Sequence, residues 1–257
     1  MINNNITSVQ LAKSLLGHLT VTNLLSPSRF IQFQSQRLHQ CIAGLRTSSF
    51  PLYQLGCLLN ETWLEEDVVN ALSEILYFRT AASSSAPGSN PPFVLLPTLF
   101  FNNAQIIIES GNLTYPPNIL ALQERLHAVP VTNISLISCN GGHFTGQIFA
   151  DRCLNDADSM GNSAPNNILP IFRWLLDGLN DYEKPSGVHE KRVPLQVNAI
   201  GSCGIAALNF VETHVDPSTS SWTDATSTLH RNTALRNLIM YHLISIDVQG
   251  VGFSFFL

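Results

Sequence analysis

From Gln196 to Val211 the chain reads Gln-Val-Asn-Ala-Ile-Gly-Ser-Cys-Gly-Ile-Ala-Ala-Leu-Asn-Phe-Val. Cys203 has Gly201 two residues before it and Gly204 directly after it, and a small, apolar run follows. That pattern predicts a buried helix with Cys203 in its first turn. Helix N-termini favour anions, so a thiol there is readily used as the nucleophilic thiolate. Free cysteines are also among the most buried residue types, and the stretch by itself leaves nucleophile and core thiol about even.

A thiol nucleophile needs a base, a group that orients the base, and donors for the oxyanion. His143 follows the turn signal Asn140-Gly141-Gly142 and opens a segment that reads as a strand. Asp158 lies fifteen residues later, where a short third segment ends. Antiparallel strands joined by turns bring such residues side by side. Asp151 and Asp156 compete with Asp158 for the orienting role. Asp158 is preferred because Ser159 and a polar loop follow it. Gln196 precedes Cys203 and can supply an amide for the oxyanion. His143 also reads as an ordinary turn histidine. A metal set of Cys139, His143 and Cys153 lacks a fourth ligand, so no metal is expected.

Composition narrows the classes. The 257 residues are 45% hydrophobic and only 12% charged, about half the usual roughly 25%. Net charge is −5 with 13 Lys+Arg and no basic block, which argues against a nucleic-acid partner. Five cysteines, odd in number and without a C-x-x-C, point to a reducing compartment, nuclear or cytoplasmic. No apolar run is long enough to span a membrane, and neither a phosphate-binding loop nor a dinucleotide fingerprint occurs; no cofactor is expected.

The elements that must position these residues are legible in outline. Residues 1–49 read as an N-terminal helical extension packed on the outside, and 50–257 as the main domain. Thr62 fits an N-cap, with Glu65 three residues on as a capping box, and Val68, Val69, Leu72, Ile75 and Leu76 follow at helical spacing. Trp63 then falls in the first turn, as a staple to the core or as the wall of a channel. Residues 80–92, rich in Ser, Ala and Pro, read as a flexible insertion. A short helix is predicted at 118–127 and strands at 131–138 and 143–151, with helices at 168–180 and 230–246. Val193-Pro194-Leu195-Gln196 and the terminal Phe253–Leu257 read as further strands. The order implies an α+β fold with a central, mainly antiparallel sheet.

Taken together, Trp63-Leu64-Glu65-Glu66, His143-Phe144, Asp158-Ser159, Gln196 and Cys203-Gly204 resemble, in that order, the motifs of the Ulp/SENP cysteine proteases. That family shares the adenovirus-protease (adenain-like) fold and cleaves ubiquitin-like modifiers such as SUMO from proteins. The resemblance covers residues from about 50 to 245. It implies a catalytic set of His143, Asp158, Cys203 and Gln196. It also implies a substrate channel at Trp63, Phe144, Glu66 and Gly204 that admits a Gly-Gly tail. The implied activity is that of a cysteine-type isopeptidase acting on a ubiquitin-like modifier. This chain departs from the family pattern in four places. Phe144 stands where a Trp usually follows the histidine, Glu66 where Asp is usual and Ser202 where Asp is common, and Gln196 lies one residue further from the cysteine, which makes Asn198 the alternative oxyanion donor. The alternative readings of this chain are an acetyltransferase on the same fold, a non-catalytic module that docks a ubiquitin-like protein, and a protease encoded by a mobile element.

Overall fold

The computed structural model describes residues 2–83, 93–111, 115–129 and 131–250. Most of the expected insertion and the expected last strand, 253–257, lie outside the described residues. The chain forms two compact units.

The first unit comprises residues 1–75, 199–202 and 225–257. It contains α1 (Ile2–Thr22), α2 (Pro27–Gln34), a 3-10 turn (Leu52–Leu58) and the start of α3 (Glu66–Ser83). Its last helix, which is α8 in chain order, is Ser227–Gly250. Leu15, Phe33, Leu52, Leu55, Leu235, Leu238 and Leu243 are buried. The backbone of α1 lies so close to the 3-10 turn that a Cβ on Gly56 would stand 2.9 Å from the Leu11 carbonyl oxygen. Residues 1–49 fall in the same compact unit as α8. Glu74 holds the 46–47 loop, accepting the Arg46 N–H at 2.6 Å and the Thr47 hydroxyl at 2.7 Å.

α3 begins at Glu66, four residues later than the predicted cap. Thr62 donates its hydroxyl to the Cys57 carbonyl at 2.9 Å, so the capping box does not form. Glu65 ends the approach instead, its carbonyl accepting the Val68 and Val69 N–H groups. Trp63 thus precedes the helix, and at 51% exposure it is not a core staple.

The second unit, residues 76–198 and 203–224, holds the sheet. Its strands are β1 (Phe93–Leu96), β2 (Asn133–Asn140), β3 (His143–Ala150), β4 (Cys153–Ala157) and β5 (Val188–Glu190), adjacent in chain order. The central pairings β2–β3 and β3–β4 are antiparallel, and the outer two are parallel. Pro97 follows β1, and α4 is Leu99–Glu109. α5 is Pro117–Ala128, α6 is Ile168–Leu175 and α7 is Cys203–Val215. Strand alternation sorts the faces. Ile134, Leu136, Phe149 and Leu154 join Phe100 and Phe101 of α4 and Ile171 and Phe172 of α6 in one core. On the opposite face α7 approaches Gly146, where a Cβ would stand 2.9 Å from Phe210 and 3.0 Å from the Ala207 carbonyl. Only a glycine lets the helix lie that close.

The fifth strand is Val188–Glu190, not 193–196. Pro194 has no N–H to give a ladder, whereas Val188, His189 and Glu190 pair with Leu154, Asn155 and Asp156.

Candidate active site

β3 opens at His143 directly after Gly141 and Gly142, both at positive φ (59° and 83°), a backbone that glycine adopts without strain. Asn140 and His143 close the β2–β3 hairpin as a register pair. Gly146 pairs with Ala157 and Gln147 with Asp156 across β3 and β4. Continued by one residue past Ala157, that register puts Asp158 opposite Thr145 and diagonal to His143, on the same side of the sheet. Asp156 and Asp158 share that side, and position along the strand separates them.

The three contested carboxylates have distinct surroundings. Asp158 Oδ1 lies 2.8 Å from His143 Nε2. It also accepts the Met160 N–H at 2.6 Å, and Oδ2 accepts the Asn162 amide at 3.1 Å. Burial acts to raise its pKa, but these donors, His143 foremost, hold the carboxyl below its ordinary value. Asp156 is 1% exposed and accepts the Gln147 amide at 2.8 Å. Burial pushes its pKa up to about 6. The Gln147 amide also donates to Thr145, whose hydroxyl meets that of Ser138 at 2.9 Å. Asp156 thus belongs to a polar ladder inside the sheet. Asp151 sits in the β3–β4 turn at φ 49°, exposed.

With Nε2 given to Asp158, His143 Nδ1 is buried and bonds to no nitrogen or oxygen among the described residues. The Cys203 thiol acts on the same ring. The hydrogen bond with Asp158, and after it the interaction with Cys203, push the imidazole up to about 9 against the effect of burial. At neutral pH the ring is therefore protonated, an imidazolium between a carboxylate and a sulfur. Cys203 is the first residue of α7 and is 1% exposed. Gly204 follows it, also buried.

The structure brings His143, Asp158 and Cys203 together and treats the other expected residues differently. Gln196 is tied beside the Asp158–Ser159 turn. Its N–H donates to the Ser159 carbonyl at 2.7 Å, and its Oε1 accepts the Ser159 hydroxyl at 3.1 Å. Asn198 gives its amide to Asp224 at 3.0 Å, so its side chain is already committed. Phe144 is 2% exposed and offers almost no surface to a substrate. Glu66 is the half-buried first residue of α3.

No protein-family model matches the chain, and no curated protein matches it. Solved structures do. The SUMO protease Ulp1 with its catalytic cysteine oxidised to a sulfenic acid is 13% identical at a TM-score of 0.65, covering 85% of this chain and 97% of its own. The fold is that of the Ulp/SENP proteases. The Chaetomium thermophilum Ulp1-like SUMO protease catalytic domain is 18% identical, with a TM-score of 0.64 and coverage of 84% and 90%. A C-terminal Ulp1 protease domain in complex with Smt3, the yeast orthologue of SUMO, is 14% identical, with a TM-score of 0.59 and coverage of 85% and 97%. These neighbours are cysteine proteases, and this α+β chain shares their fold. No helix among the described residues is long and apolar enough to cross a membrane.

Proposed function

We propose that this chain is a cysteine-type isopeptidase that cleaves after the Gly-Gly tail of a SUMO-type ubiquitin-like modifier. The observation that carries the reading is the His143 ring, joined to Asp158 at 2.8 Å and pushed up to about 9 by that carboxyl and by Cys203. A ring that holds its proton so firmly is the counter-ion a thiolate needs. The Cys203 sulfur attacks the carbonyl carbon of the terminal glycine, and the carbonyl π electrons move onto oxygen. The Cys203 backbone N–H and the Gln196 amide donate to that oxyanion. As the tetrahedral intermediate collapses, the C–N bond breaks and His143 gives its proton to the leaving amine. The neutral ring then takes a proton from water, whose oxygen displaces the sulfur from the thioester. Asp158 keeps the ring oriented and stabilises its charge throughout.

The neighbour solved with Smt3 supports SUMO as the modifier class. Trp63, half exposed ahead of α3, is the aromatic available to lie against a side-chain-free tail.

The test is release of a fluorophore from the C-terminus of SUMO, compared with ubiquitin, by the native chain and by Cys203→Ala. Cleavage of the SUMO substrate that vanishes in Cys203→Ala is expected. Activity retained in Cys203→Ala, or none on any ubiquitin-like substrate, would overturn the reading.

A further inference from the structure

Arg231 of α8 is 1% exposed and heads the fully buried side chains by size. Its Nε donates to Ser202 Oγ at 2.8 Å. One terminal nitrogen donates to the carbonyls of Cys57 at 3.1 Å and Asn60 at 2.5 Å. The other donates to the carbonyls of Thr62 at 2.7 Å and Gly201 at 2.6 Å. Glu61 Oε2 stands 3.3 Å from Nε and supplies the opposite charge. Ser202 donates to the same carboxylate, and so does Ser227 at 3.1 Å. All these residues belong to the first unit.

The segment held this way is Gly201-Ser202. A Cβ on Gly201 would stand 2.3 Å from the Thr62 carbonyl carbon and 2.5 Å from the Glu61 oxygen, so backbone lies against backbone there. Ser202 is 0% exposed and donates its N–H to the Ala199 carbonyl at 2.9 Å. The peptide before Ser202 is fixed through the Gly201 carbonyl, and the Ser202 Cβ direction through its hydroxyl. The next peptide unit carries the Cys203 N–H.

We infer that Arg231, acting through Gly201 and Ser202, is a positioning residue for the Cys203 backbone N–H. Its role is to keep that donor aimed at the oxyanion. A guanidinium suits this because its planar fork meets five acceptors in fixed directions, whereas an ammonium gathers them at one point. The inference rests on the hydrolase reading above, in which attack on the substrate carbonyl develops that oxyanion.

Two probes separate the donor from the thiolate. Acetyl-Gly-glycinal adds reversibly to Cys203. A C–S bond forms, the aldehyde π electrons become an oxyanion, and the oxygen takes a proton from the imidazolium. Iodoacetamide alkylates the same sulfur with loss of iodide and develops no oxyanion. Both are measured on the native chain and on Ser202→Ala and Arg231→Lys, per folded molecule as judged by near-ultraviolet circular dichroism. The aldehyde dissociation constant should rise about tenfold or more while the alkylation rate stays within about threefold. Unchanged aldehyde affinity in the folded variants would overturn the inference. So would a parallel loss of both reactions, which marks damage to the thiolate. If Arg231→Lys does not fold, Ser202→Ala decides alone. Rapid alkylation of the native chain without aldehyde binding would sink the hydrolase reading, and the inference with it.

Discussion

His143 Nε2 and Asp158 Oδ1 stand 2.8 Å apart at the end of a strand pair, and that bond is the first cause of an imidazole pKa raised to about 9. The proposed chemistry needs the proton on the ring, so kcat/KM should fall as pH rises through about 9. Asp158→Asn removes the leading cause, so the alkaline limb should move toward the ordinary histidine value of about 6.5. Turnover should drop about 10²–10⁴-fold. Profiles from pH 6 to 10 check this. A larger loss in Asp156→Asn, or a limb that does not move, would reassign the orienting residue.

Trp63 is 51% exposed, so cutting it to Ala removes little packing. Stability should change by no more than about 0.5 kcal/mol. If the indole lies against the substrate tail, kcat/KM on a SUMO tail should fall about tenfold while Cys203 alkylation stays unchanged. Thermal unfolding beside the two rate assays tests this. A large stability loss, with both rates falling together, would make Trp63 structural.

Phe144→Trp restores the residue usual in the family, and the sequence alone suggests it would hold or raise activity. Burial reverses that expectation. Phe144 is 2% exposed, and an indole there overpacks the site at a cost of about 1–3 kcal/mol. The variant should unfold at lower temperature with no gain on SUMO. A variant as stable as the parent and more active would show that the pocket has room.

His242 is 1% exposed, and its Nδ1 accepts the Ala43 N–H at 2.8 Å. Burial lowers its pKa to about 4. The unfolded ring titrates near 6.5, so between these values protons bind the unfolded chain in preference. This contribution is complete above about pH 6.5 and is lost as pH falls toward 4, about 2 kcal/mol of it by pH 5. His143 has the opposite sign, stabilising fully below about 6.5 and losing its contribution as pH rises toward 9. Urea unfolding at pH 7 and pH 5 should show a smaller acid loss in His242→Gln than in the parent. An equal loss would assign the acid sensitivity elsewhere.

Local pattern determined much of this protein. Gly141-Gly142 before His143, and small apolar residues after Cys203, are signals within one turn of chain, and they place the residues at a strand start and a helix start. The register of β4 on β3 puts Asp156 and Asp158 on the same side as His143, so alternation does not separate them, and the sequence preferred Asp158 only for the Ser159 and polar loop that follow it. The choice came from depth. Asp158 lies beyond the last paired residue, where the ring of His143 and the Met160 and Asn162 donors reach it, while Asp156 is enclosed with Gln147. Pro194 was a local warning against the strand expected at 193–196, but the pairing of 188–190 with β4 is a long-range fact. Arg231 left no signal at all. An arginine inside a helix reads as a solvated side chain, and its acceptors come from residues 57, 60, 62, 201 and 202. Separations of that kind carry no periodicity, and only the folded chain brings those carbonyls around one guanidinium.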